Sequence, residues 1–259
     1  MALGGLVAGL FGSLLGLGGG ILIIPLLTLA FGLPMQTAIA TSLVCVIATS
    51  CGAANLYVKS GLADIRLGMT LELGTTCGAI IGGLLAGIIS HNALSFIFSL
   101  LLLYAAISII TKKDKVECQS GDSSEKTIHH YKVENYPLGI IGSFFAGNIS
   151  GLLGVGGGII KVPLMYLGMK IPLKVATATS NFMIGVTAVA SCFIYYSRGD
   201  LSLVVTAATV VGVFLGAMLG SRILTLIETL WLKRVFVLIL VYLWLKMMFT
   251  GLEVKFLIF

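Results

Sequence analysis

Charge is scarce in this sequence. Only 10% of its 259 residues are charged, whereas 58% are hydrophobic and the mean hydropathy is +1.10. A soluble chain of this size could not hide so much apolar surface, so a soluble globular fold is excluded. Histidine occurs three times, and none of the five cysteines (Cys45, Cys51, Cys77, Cys118, Cys192) belongs to a CxxC. Four of those cysteines lie in apolar runs and read as small buried hydrophobes. His129-His130 lacks further ligands at suitable spacing and reads as a solvated pair. No metal or cofactor is expected. The motifs HExxH, GxSxG and GxxxxGK[ST] are missing, so catalysis by those constellations is excluded and the chain reads as a non-enzyme. The net charge of +6 forms no basic stripe interleaved with aromatics, which argues against a nucleic-acid partner. Met1-Ala2-Leu3-Gly4 has no positive n-region, so the start of the chain does not read as a cleaved signal.

What remains is a series of continuous apolar runs. A β-barrel would need short alternating segments instead, so the class is an all-α polytopic membrane protein, multi-pass in the plasma membrane. Glycine organises it. Leu14–Gly20 matches Leu152–Gly158 at six of seven positions, an offset of 138. The offset then holds without a gap: Pro25 meets Pro163, Ala40-Thr41-Ser42 meets Ala178-Thr179-Ser180, and Gly74 and Gly78 meet Gly212 and Gly216. The chain is one unit written twice. The first repeat takes residues 1–111, a polar linker residues 112–134, and the second repeat residues 135–259. Each repeat opens with an apolar segment broken by the glycines and continues with three spanning helices. In the first repeat the two pieces are about a dozen residues each, roughly 18 Å if helical, too short to cross a core of about 30 Å.

Two topologies compete. If the broken segments cross the membrane, the repeats lie parallel and basic residues collect on both sides. If each segment is a re-entrant hairpin, the second repeat is inverted. One side then keeps only Arg198, Lys246 and Lys255 of the sixteen Lys and Arg residues, Lys161 lies within its segment, and the other twelve share the opposite side. The positive-inside bias prefers the inverted repeats, with a cytoplasmic linker and both termini outside. Inverted repeats with discontinuous helices at midplane are a transporter architecture.

The candidate site follows from those breaks. Gly18, Gly19, Gly20 and Gly156, Gly157, Gly158 open half-helices whose first amides are unpaired and carry the positive dipole end, a setting for an anion. The same glycines would also serve close helix packing. Thr41 and Ser42, with Thr179, Ser180 and Asn181, supply hydroxyls and an amide that either meet the substrate or satisfy their own helix. Lys161 is a cation about one turn after the second cluster. It either snorkels to the interface or attracts substrate, its stem reaching back toward the amides. Without a partner in view, removing its charge should leave folding intact or improved. Glu72 and Glu228 align with Val210 and Ser90, so neither has an acidic counterpart. They read as interfacial carboxylates, and no proton relay is evident.

At these residues the chain resembles the sulfite exporter TauE/SafE family. The likeness rests on Gly16–Gly20 followed by Pro25, on Ala40-Thr41-Ser42, on the Gly61 loop and on their second copies, and it spans nearly everything but the linker. It implies a permease of small anions, with sulfite and organosulfonates as substrates. The expectation is therefore a secondary transporter whose partners are a small sulfur-containing anion and membrane lipid. An anion channel, a membrane enzyme and a receptor are the alternatives. Substrate, direction, coupling ion and any homo-oligomer stay open.

Overall fold

In a computed structural model, the structure describes residues 1–15, 18–59, 61, 63–111, 133–223 and 229–251. The linker residues 112–132, with His129-His130, and Glu228 lie outside them. Among the described residues ten α-helices follow one another: α1 (Ala2–Leu15), α2 (Gly20–Pro25), α3 (Met35–Lys59), α4 (Ile65–Ala86), α5 (His91–Thr111), α6 (Tyr136–Leu153), α7 (Gly158–Pro163), α8 (Leu173–Ser197), α9 (Leu203–Ile223) and α10 (Thr229–Gly251). Among the described residues there is no strand. Helices α3, α4, α5, α6 and α8 each hold an apolar stretch long enough to cross a membrane.

Local sequence explains the punctuation. Asp64 caps α4, its Oδ1 accepting the Leu67 amide at 2.9 Å. Gly154 ends α6 in the left-handed region, and Gly19 and Gly157 start α2 and α7 there, at φ 74° and 75°. An L side chain resists that backbone, so only glycine reverses the chain cheaply. Pro25 and Pro163 lack an amide hydrogen, and each is followed by a π-helical turn, Leu26–Ala30 and Leu164–Gly168. Those turns close identically, Leu33 donating to Leu27 and Ile171 to Met165.

Each broken segment doubles back on itself. In the second repeat the Glu134 amide donates to Met169 O at 3.3 Å, Asn135 Nδ2 donates to Gly168 O at 3.2 Å, and Glu134 pairs with Lys170 at 2.8 Å. The start of α6 thus lies against the end of the turn after α7. In the first repeat Gly4 abuts the Leu26 side chain, as Gly142 abuts Leu164. The two arms are unequal in the second repeat. Helix α6 runs 18 residues, about 27 Å, and is apolar enough to span. Pro137 sits in its first turn, directly after the linker.

The repeats interlock by exchange. Helix α1 packs on α9 of the other repeat, α6 packs on α4, and α3 pairs with α8 and α5 with α10. Glycines make the first two contacts close. A Cβ at Gly78 would strike Phe144 O and one at Gly216 would strike Leu6 O, the same contact 138 residues on. Gly147 against Thr75 O and Gly9 against Val213 O repeat the pattern. Small residues let backbones approach where hydrocarbon supplies no hydrophobic drive between helices.

The interior mixes an apolar core with buried hydroxyls, and the rim is apolar. Thr41, Ser42, Thr49 and Ser50 of α3 and Thr179, Ser180, Thr187 and Ser191 of α8 are buried. Leu73, Leu84, Phe145 and Val204 stand exposed on the outer helices. This arrangement suits lipid contact around a polar centre.

Candidate functional site

The two glycine breaks meet at the centre of the bundle. Gly18 lies against Val46 and Ile184, and Gly156 lies against the same pair. Val46 on α3 and Ile184 on α8 are themselves one repeat apart, so the four residues surround a pseudo-twofold axis. Gly19 faces Ala8 O as Gly157 faces Ala146 O. Ser42 ties the halves together, its Oγ donating to Gly154 O at 2.8 Å, and Gly20 has no room for a Cβ beside that contact.

The hydroxyl motifs split between two faces. Thr41 turns to α9, its Oγ1 3.3 Å from Thr206 Oγ1. Thr179 accepts the Asp64 amide at 3.0 Å. Neighbouring residues on a helix point about 100° apart, so Ser42 faces the breaks while Thr41 does not. Ser180 is buried with no hydrogen-bond partner among the described residues. Asn181 Nδ2 returns to Thr177 O at 3.1 Å, and the Asn181 carbonyl accepts from Ser50 at 2.6 Å.

Lys161 is 1% exposed and does not snorkel. Its stem reaches back toward the break: a Cβ at Gly157 would lie 3.5 Å from Lys161 Cε and 3.2 Å from Ser150 Cβ. The Ser150 hydroxyl is buried and unpaired among the described residues. The ammonium ends in a cluster that sequence reading misses. Nζ donates to Thr187 Oγ1 at 2.7 Å and lies 3.5 Å from Glu72 Oε2.

Glu72 is therefore not an interfacial carboxylate. It is 6% exposed, whereas Leu73, the next residue, is 74% exposed, so α4 turns Glu72 inward and Leu73 outward. Thr187 donates to its Oε1 at 2.6 Å, Thr75 to Oε2 at 2.8 Å, and Thr76 to Oε1 at 3.3 Å. Both oxygens are satisfied twice, which is what a buried carboxylate needs. The partner also reverses the expectation for Lys161: removing its charge now strands Glu72. Among the described residues no three His, Cys, Asp or Glu side chains gather as metal ligands.

A family model described as Sulfite exporter TauE/SafE matches residues 1–247. The chain belongs to that family. It is similar to the probable membrane transporter protein YunE of Bacillus subtilis, 29% identical over 95% of this chain and 96% of the relative. It is also similar to YdhB of the same organism, at 26% over 90% and 91%. The probable membrane transporter protein MJ0441 of Methanocaldococcus jannaschii is 27% identical over 85% and 83%. No solved structure matches. Family and apolar helices together make this a multi-pass membrane protein.

Proposed function

We propose that the protein is a secondary transporter of a small sulfur-containing anion, such as sulfite or an organosulfonate. The observation that carries this reading is the meeting of the two glycine breaks around Val46 and Ile184, with Lys161 beside the second. In this reading the anion sits against the amides of Gly18, Gly19, Gly20 and Gly156, Gly157, Gly158. Ser42, Ser150 and Ser180 offer hydroxyls and Lys161 offers charge. Thr41, Thr179 and Asn181 line the helices behind. Amides at helix breaks need a partner that lipid does not give, and an anion is a fitting one.

The repeats are inverted in this proposal. Doubling back of both broken segments leaves three crossings per repeat, and an odd number inverts the second. The linker is then cytoplasmic. Alternating access moves one bundle against the other about the central pair α3 and α8. Uptake of labelled sulfite and methanesulfonate into proteoliposomes tests the reading. Saturable flux with both is expected, and none with either would refute it.

A further inference from the structure

We propose that Glu72 is the proton-coupling site, taking up one proton when an anion occupies Lys161. This rests on the transporter reading above. It adds the coupling ion and the residue that carries it.

The ion pair is not required by the fold. At the equivalent positions one repeat away the chain has Ile23, in the apolar core, and Val210, half-buried against that core. Thr187 corresponds to Thr49, which there donates to Gly18 O at 3.1 Å or Val46 O at 2.9 Å. The same architecture is thus built once with hydrocarbon and once with charges. Buried pairs are weak contributors to stability compared with apolar packing, so the charged version calls for another use.

The charge balance defines that use. Among the described side chains Lys161 and Glu72 face only each other: the other ionisable ones of α4, α6, α7 and α8 are Arg66, Cys77, Tyr136, Cys192, Tyr195 and Tyr196, and none bonds to Glu72. The pair is neutral as a whole. An anion arriving at the Lys161 ammonium adds a negative charge beside a buried carboxylate. One proton, drawn from water on the side from which the anion enters, converts Glu72 from carboxylate to carboxylic acid and restores neutrality. Release on the far side returns both.

The hydroxyls around Glu72 are set for both states. A threonine hydroxyl has one hydrogen. Thr187 Oγ1 lies 2.6 Å from Glu72 Oε1 but also 3.0 Å from Met183 O. Thr75 Oγ1 lies 2.8 Å from Glu72 Oε2 but also 3.0 Å from Glu72 O and 3.3 Å from Leu71 O. With Glu72 ionised, both hydroxyls donate to it. With Glu72 protonated, Thr187 turns its hydrogen to Met183 and accepts the carboxylic proton. No polar atom is left unpaired in either state.

The test is made in proteoliposomes with labelled methanesulfonate, an anion that stays charged at every working pH. Counterflow without a gradient reports transport itself. An inside-alkaline gradient then drives accumulation, by about tenfold per pH unit at equilibrium for one proton per monovalent anion. A potassium diffusion potential leaves it unmoved, because the cycle carries no net charge. E72Q loses this: its ratio of pH-driven accumulation to counterflow falls at least tenfold. Since E72Q leaves Lys161 unpaired, the wild-type gradient measurement stands without it. Counterflow with uptake that follows the potential and not the pH gradient overturns the proposal alone. Full pH-driven accumulation by E72Q also overturns it. No counterflow in the wild type overturns the transporter reading and this proposal together.

Discussion

Lys161 and Glu72, 89 positions apart, form a buried ion pair whose repeat equivalents are Ile23 and Val210. One pseudo-symmetric frame therefore holds both a charged and an apolar solution to the same packing problem. That contrast separates what the fold needs from what function adds.

It also orders the stabilities of substitutions at the pair. Lys161→Met leaves Glu72 buried and uncompensated, and should destabilise the protein by about 3–5 kcal/mol. The double variant Lys161→Ile, Glu72→Val copies the equivalent positions Ile23 and Val210 and should be neutral or more stable by about 1–4 kcal/mol. Thermal unfolding in detergent measures both. A single variant as stable as the double would mean the pair is not coupled.

Close helix approach gives a second prediction. Gly147→Ala places a methyl group on Thr75 O, forcing α4 and α6 apart, and should cost about 1–3 kcal/mol or more. Gly52→Ala, in α3 with nothing within 4 Å, should stabilise by roughly 0.5–1 kcal/mol. Unfolding midpoints that move the same way in both would remove the packing role of Gly147.

The breaks themselves are tested by Gly19→Val and Gly157→Val. Each puts a β-branched residue at a positive φ, 74° or 75°, where the backbone alone costs about 1–2 kcal/mol. Inserted protein with no anion flux is the expected outcome. Normal flux in either variant would return the glycines to packing alone.

Topology is tested by single cysteines at Ser123, Lys170 and Asp200. Inversion places the first two in the cytoplasm and the third outside. Impermeant thiol reagents should label Lys170→Cys from the side that labels Ser123→Cys. Labelling of Asp200→Cys from that same side would contradict the arrangement.

The repeat and its breaks were legible because they are written in glycine and proline at a constant offset. The hairpin closure at Glu134, Asn135 and Lys170 was reachable only through the charge balance. Glu72 reads as interfacial in sequence for a physical reason. In a helix facing lipid, the outer face is as apolar as the packed one, so no amphipathic pattern marks which way Glu72 points. Its partner lies 89 residues away, and the repeat offset leads to Val210 rather than to an acid. The Thr-Ser pairs divide for a related reason: helical rotation sends Ser42 to the Gly154 carbonyl and Thr41 to Thr206.

The central claim is that the converged breaks and Lys161 carry an anion. Its most direct test is counterflow of labelled methanesulfonate in proteoliposomes, comparing wild type with the double variant Lys161→Ile, Glu72→Val, which should fold. Saturable counterflow in the wild type, lowered at least tenfold in the double variant, is predicted. Equal counterflow in the two proteins would contradict the account.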